Sequence, residues 1–300
     1  VTRESGNLPV WTFKYRAFVG EAPKLRYSRL TWFRAPSLLK RWGFLFAAHY
    51  DKGAFMRKIL GFSLLLLVFT SPAYAMHISE GILPFNWAAF WYVVTIPFVL
   101  LGMRKLQKAA KDDLSFKPLV GLITAVVFII SCMPIPVPTA GTCSHPCGTA
   151  ISAILLTPFV SVVVASVALL IQALFLSHGG ITTLGANIMS MGIMGSFTGY
   201  LVFKLLRSMN INLAISGFFA GLLADWATYL ATSVELSLGI RGDSPFFPLF
   251  WKILLAFVPT QLPLGILEGA ITSGMIILLY KKRPDLLIRM RVITVKEVEA

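Results

Sequence analysis

Downstream of residue 76 the chain is a succession of apolar stretches, at about 85–103, 117–136, 148–176, 189–206, 212–233 and 247–280, separated by short polar or basic segments. A helix needs about 20 apolar residues to cross the hydrocarbon of a bilayer. In lipid, backbone groups must bond within a helix or a closed barrel. Apolar runs of this length, continuous and not alternating, predict an all-α polytopic membrane helix bundle. Composition agrees: 56% of residues are hydrophobic, 13% are charged, and mean hydropathy is +0.76. A soluble domain of this size has too little interior for that much apolar surface.

The net charge of +14 raises the question of nucleic acid, and its distribution answers it. Residues 1–58 hold twelve Lys/Arg against three acidic residues, and the remaining cations cluster in short runs between apolar stretches. Such runs mark cytoplasmic loops; a nucleic-acid binder presents a basic face on a folded domain. Lipid is the expected partner surface, and no nucleic acid is expected.

Residues 56–75 read as a cleavable signal peptide: basic Arg57-Lys58, an apolar run Ile59–Phe69, and small residues Ala73 and Ala75 before the cut. Residues 1–55 lack helical periodicity and precede Met56, and are expected to be a non-native or disordered extension. That leaves a transmembrane metal-binding domain at 76–284 and a cytoplasmic tail at 285–300. Cleavage leaves Met76 outside, so Arg104-Lys105 falls inside and the loop 137–147 outside. If 148–176 crosses twice, Lys204, Arg207 and Lys281-Lys282-Arg283 also fall inside. The positive-inside rule therefore favours two passes there and about seven transmembrane helices in the mature chain. The last would be one long pass containing Pro259 and Pro263.

This topology brings Met76, His77, His145 and His178 to one side. The mature chain would begin Met76-His77-Ile78-Ser79-Glu80. An α-amine, the amide nitrogen of a following histidine and its imidazole occupy three corners of a plane, and His145 is the natural fourth donor. Four nitrogens in a plane suit Ni²⁺ or Cu²⁺ and accommodate Co²⁺, whereas Zn²⁺ prefers a tetrahedron.

From Met76 to about Leu287 the chain resembles the CbiM/NikM family, the substrate-binding components of energy-coupling-factor importers for cobalt and nickel. The resemblance rests on Met76-His77-Ile78-Ser79-Glu80-Gly81-Ile82-Leu83, on Pro136-Val137-Pro138 with Gly141-Thr142 and His145, and on His178-Gly179-Gly180-Ile181-Thr182-Thr183-Leu184-Gly185-Ala186-Asn187. It continues in Ala224-Asp225-Trp226-Ala227-Thr228-Tyr229 and in Gln261-Leu262-Pro263-Leu264 with Glu268-Gly269. It implies Met76, His77 and His145 as ligands and Co²⁺ or Ni²⁺ as the transported substrate. It also implies a transmembrane scaffold (T) component, two cytoplasmic ATPases and a small accessory membrane subunit as partners, in a bacterial inner membrane. The chain departs from the family at Cys143-Ser144-His145-Pro146-Cys147. Those thiols are open to three readings: a disulfide, added soft ligands, or small apolar loop residues.

Glu80, His178 and Asn187 are candidates for supporting groups around the site; for Asn187, and for Thr182 or Thr183, a helix cap is the competing reading. Asp225 and Glu268, inside apolar spans, are expected to face the bundle interior and bond between helices. Gly195/Gly199 and Gly217/Gly221 have the spacing of close helix contacts. No G-x-x-x-x-G-K-[ST] motif occurs, so ATP hydrolysis by a P-loop is not expected of this chain. The alternatives are a membrane thiol oxidoreductase using Cys143 and Cys147, and a vitamin-specific substrate-binding component.

Overall fold

The structure, a computed structural model, describes residues 77–132, 135–137 and 142–299. The extension 1–55, the signal peptide 56–75 and Met76 lie outside the described residues, as does the Cys143 side chain. The helices are α1 (Phe85–Asp112), α2 (Phe116–Ser131), α3 (Thr149–Leu156), α4 (Pro158–Phe175), α5 (Leu184–Ser208), α6 (Leu213–Ile240), α7 (Phe246–Lys282), α8 (Pro284–Arg289) and α9 (Lys296–Glu299). Between α2 and α3, β1 (Ile135–Val137) and β2 (Thr142–Ser144) pair as a short antiparallel ribbon, Ile135 opposite Ser144.

Five of these helices, α1 and α4 to α7, are long and apolar enough to cross a membrane, and α2 is a shorter apolar helix. With α3 they make seven apolar segments, the number read from the sequence, in a multi-pass membrane bundle. The exposure pattern is that of a protein solvated by lipid. Phe85, Phe175 and Val93 are 87%, 78% and 70% exposed, while Ser161, Gln172, Asp225, Thr228 and Glu268 are buried. Where the surrounding solvent is hydrocarbon, polar groups go inside and find partners. Ser161 on α4 shows how: its hydroxyl reaches Thr149 O on α3 at 3.2 Å and Ser196 Oγ on α5 at 2.7 Å.

The run 148–176 does not make two full crossings. It breaks at Thr157, where φ is 91° and ψ is 151°, a conformation otherwise reserved almost wholly for glycine. Pro158 then starts α4, where a missing N–H costs nothing. The eight residues of α3 rise about 12 Å, so α3 enters the bundle as a half-helix and the chain turns back. The consequence for the loops is the one the charges required: the His145 and His178 rings lie 5.1 Å apart, so the segments before α3 and after α4 share one end. At the other end, Arg289 pairs with Asp113, and Arg207 with Glu297. The residues after 284 fold back as α8 and α9, with Leu287 and Ile293 buried, so the expected tail is docked against the basic end.

Helices α6 and α7 form the most extensive pairing in the bundle. A Cβ at Gly221 would stand 2.7 Å from the Glu268 carbonyl oxygen, and one at Gly269 2.7 Å from Phe218 O. The Gly217/Gly221 spacing therefore packs within the bundle, and Gly269 answers from the facing helix. Backbone cannot yield as a side chain can, so Gly221→Ala is expected to lower stability by about 1–3 kcal/mol. Gly121, with nothing within 4 Å of its would-be Cβ, is the control: Gly121→Ala should raise stability by up to about 1 kcal/mol. Unfolding of the two detergent-purified variants checks both signs.

Candidate metal centre

Three imidazoles meet at the end opposite the basic clusters. Ring centroids lie 4.7 Å apart for His77 and His145, 4.8 Å for His77 and His178, and 5.1 Å for His145 and His178. One nitrogen from each lies within 4.8 Å of the others. His77 and His145 are buried, at 2% and 0% exposure.

The hydrogen bonds around the rings decide which nitrogens remain as donors to an ion. Ser131 Oγ donates to Val127 O at 2.8 Å, so it has only lone pairs left to offer. It accepts from Gln172 Nε2 at 2.7 Å, which turns Gln172 Oε1 toward His77 Nε2 at 2.9 Å. An amide oxygen only accepts, so His77 carries its proton on Nε2 and leaves Nδ1 as the lone pair. Nδ1 is the nitrogen that closes a chelate ring with the residue's own amide. For His145, Nδ1 donates to Pro146 O at 3.0 Å. Its Nε2 is buried without a hydrogen-bond partner, an orphaned lone pair beside the other two rings. Orientation of imidazoles by such outer contacts is the usual support of metal-binding histidines.

Electrostatics favour the neutral rings. Burial, then the neighbouring His145 and His178, hold His77 well below the ordinary histidine value. Burial and then His178 take His145 down to about 3, and burial lowers His178.

The segment from His77 to Glu80 is gripped from the start of α5. Asn187 Oδ1 accepts from the Ile78 N–H at 2.8 Å and Nδ2 donates to Ile78 O at 3.2 Å. Thr183 Oγ1 also donates to Ile78 O, and Glu80 Oε2 accepts from Thr182 N at 3.1 Å. The cap reading of Asn187 and Thr183 is therefore overturned: neither side chain caps α5, because both are engaged with Ile78, 105 to 109 residues earlier. Just below Asn187, α5 widens into π-helical turns over Ile188–Gly195, a feature that concentrates at functional sites. Gly179 and Gly180 close the loop over this segment. Gly179 has φ 84°, with His77 Cβ 3.0 Å from its would-be Cβ, and at Gly180 a Cβ would meet Glu80 at 2.4 Å.

Beneath His145, Glu268 accepts from Gly148 N at 2.9 Å and from Cys147 N. The expected bond between helices is thus a bond from helix to loop. Cys147 is a free, buried thiol, so the disulfide reading does not hold. Gln172 and Ser131 escaped the sequence reading. The rule that flagged Asp225 and Glu268, a polar side chain inside an apolar span, applies equally to Gln172.

A histidine held at about 3 when folded takes up its proton in the unfolded chain near 6.5. Between those values the unfolded state binds one proton more, so stability falls as pH falls. Unfolding of the metal-free protein between pH 6 and 4 should show a slope reduced by about 1.4 kcal/mol per pH unit in His145→Ala. An unchanged slope means that the imidazole is solvated.

The profile of the family described as "cobalt uptake substrate-specific transmembrane region", CbiM, matches residues 77–286. A cobalt transport protein of Geobacter sulfurreducens is 65% identical over 76% of this chain and 66% of its own length, so this chain spans just under two thirds of that relative. Another, of Sorangium cellulosum, is 54% identical over 73% of this chain and 97% of its own. A crystal structure of a transition metal transporter superposes with a TM-score of 0.63 at 27% identity, covering 72% of this chain and all of that one. A truncated transition metal transporter gives 0.62 at 29% identity, over 69% and 99%. With the profile matching well over half of the chain and relatives at these identities, the chain belongs to the CbiM family of membrane components for metal uptake.

Proposed function

We propose that this chain captures Co²⁺, with Ni²⁺ as a competing substrate, for an ATP-driven importer. The ligands are the α-amine of processed Met76, the amide nitrogen and Nδ1 of His77, and Nε2 of His145. The observation that carries the reading is the chain of hydrogen bonds from Ser131 through Gln172 to His77. It leaves Nδ1, the chelating nitrogen, unprotonated beside the orphaned His145 Nε2. The naming of the relatives as cobalt transport proteins supports the choice of ion. His178, Glu80 and Asn187 hold the terminal segment and the loop over it.

The sequence lacks a P-loop motif, so the energy is supplied by partners: a transmembrane scaffold (T) component, two cytoplasmic ATPases and a small accessory membrane subunit. The chain sits in the bacterial inner membrane with its mature amino terminus outside. Basic segments at one end of the bundle and the histidines at the other support this orientation. The thiol oxidoreductase reading loses its support at Cys147, which is buried and whose thiol is pushed well up by burial and by Glu268 and Asp225; reactive cysteines are exposed and lowered. The vitamin reading needs a pocket of roughly 300–1,000 Å³. Among the described residues, the aromatic-lined cavity at Trp226, Tyr229 and Phe257 has about 210 Å³, and the larger ones, of about 530 and 770 Å³, lie around Arg207 at the end away from the histidines.

Cobalt binding to the purified, processed protein tests the reading. His77→Ala and His145→Ala should each lower affinity at least about 100-fold, and so should an alanine inserted between Met76 and His77, which moves the imidazole out of the chelate. Gln172→Leu, which frees the His77 tautomer, should cost roughly 10–100-fold. Full affinity in the insertion variant rules out the amino-terminal chelate.

A further inference from the structure

Beyond the histidines lies a second group of ligand-type side chains to which the capture reading gives no role. The Cys147 thiol, one carboxylate oxygen of Asp225 on α6 and one of Glu268 on α7 lie within 4.8 Å of one another. Cys147 and Asp225 are 0% exposed and Glu268 is 1% exposed. Glu268 is held by two backbone N–H groups, yet a carboxylate has about four lone-pair positions and keeps two in reserve. Asp225 has neither oxygen in a hydrogen bond. The ion pairs found among the described residues all lie elsewhere, so these two buried acids face each other without a cation. A buried polar group left unpaired is costly, and this one persists.

The surroundings are polar. The Thr228 hydroxyl bonds the Cys147 thiol, and Thr149 Oγ1 is buried without a hydrogen-bond partner. Both hydroxyls crowd the position a side chain would take at Gly195, at 2.7 and 2.8 Å from its would-be Cβ. Asp225 sits near the middle of α6, about 18 Å from Leu213 and about 22 Å from Ile240 at the helical rise. The group is therefore at mid-depth, and Cys147 follows His145 by two residues, roughly 7 Å of extended chain at most.

We propose that Cys147, Asp225 and Glu268 form a second site for a divalent transition-metal ion, halfway through the bundle, which receives the ion from the histidine centre. One sulfur and two carboxylate oxygens suit borderline ions such as Co²⁺, Ni²⁺ and Zn²⁺ better than Mg²⁺ or Ca²⁺. On binding, metal–sulfur and metal–oxygen bonds form, the thiol and any carboxyl proton held between the two buried acids are displaced to solvent, and no oxidation state changes. Only the order of transfer rests on the capture function; the site itself does not.

Cobalt titration of the processed, purified full chain, followed by metal content and near-ultraviolet absorption, tests this. Wild type should bind two equivalents, one with sulfur-to-cobalt charge-transfer absorption. Cys147→Ser should abolish that absorption, and Cys147→Ser and the isosteric Asp225→Asn should each weaken one equivalent at least tenfold and retain the other. His145→Ala should lose the other equivalent and keep the absorption. A single equivalent in wild type, lost in His145→Ala and untouched by Cys147→Ser and Asp225→Asn, overturns the second site and leaves the capture function standing. A single equivalent carrying the sulfur band and unaffected by His145→Ala retains the second site and overturns the histidine centre.

Discussion

The position of His145 depends on one carboxylate. Glu268, from the middle of α7, accepts the N–H groups of Cys147 and Gly148, the last two residues before α3. Gly148 is the N-cap of α3, so its N–H is one of the donors a helix start leaves without partners, and it and the Cys147 N–H before it sit buried inside the bundle. Without Glu268 the half-helix would begin on unpaired amides. With it, the loop that carries His145 is tied to the longest helix in the molecule. Tyr229 OH, 3.4 Å from the His145 amide, adds a contact from α6. The helix pair α6–α7 is thus both wall and anchor, and its close approach at Gly221 and Gly269 brings Glu268 within reach of the loop.

A second set of contacts does for the segment from His77 to Glu80 what Glu268 does for His145. Asn187, Thr183 and Thr182 bind Ile78 and Glu80 through backbone atoms and one carboxylate. Backbone recognition is indifferent to most side chains, so the short segment from His77 to Glu80 is fixed as an added strand of contacts rather than by packing alone. Of the residues that grip it, Thr182 and Thr183 belong to the loop that opens with His178-Gly179-Gly180 and Asn187 to the first turn of α5, and the glycines let that loop lie against His77 and Glu80 without collision. Two loops and the segment from His77 to Glu80 are thereby brought to one point.

Much of this was legible in the sequence, for reasons that separate what was read from what was missed. Hydropathy is local, so the apolar segments and the end of the bundle each loop takes follow from runs of residues and from charges next to them. The convergence of His77, His145 and His178 follows from that topology, because loops on one side of a bundle have nowhere else to go. What escaped reading is pairing between residues far apart: Gln172 with His77, 95 positions away, and Glu268 with Cys147, 121 positions away. Asn187 was open to a cap because its local sequence allows one, and only the arrival of Ile78 decides against it. The half-helix α3 is the clearest case. Thr157-Pro158 signals a break, but the eight-residue depth is set by Ser152, Ser161 and Ser196 meeting below Thr149, which no periodicity reports.

The distribution of charge through the bundle gives the two clusters a physical relation. The histidine centre is built from neutral rings whose protonation is opposed by burial and by one another, so in the proposed capture set only the His77 amide nitrogen, once deprotonated, brings negative charge. Such a site would hold its ion chiefly by ligand chemistry and leave much of the ion's charge uncompensated. Deeper in, Asp225 and Glu268 supply two acids that no Lys or Arg answers. In a low-dielectric interior an opposite charge at close range is worth several times what it is at the surface. On the proposed path from the rings to the carboxylates, a divalent ion would therefore meet increasing electrostatic compensation, and the cost of leaving water would fall along the way.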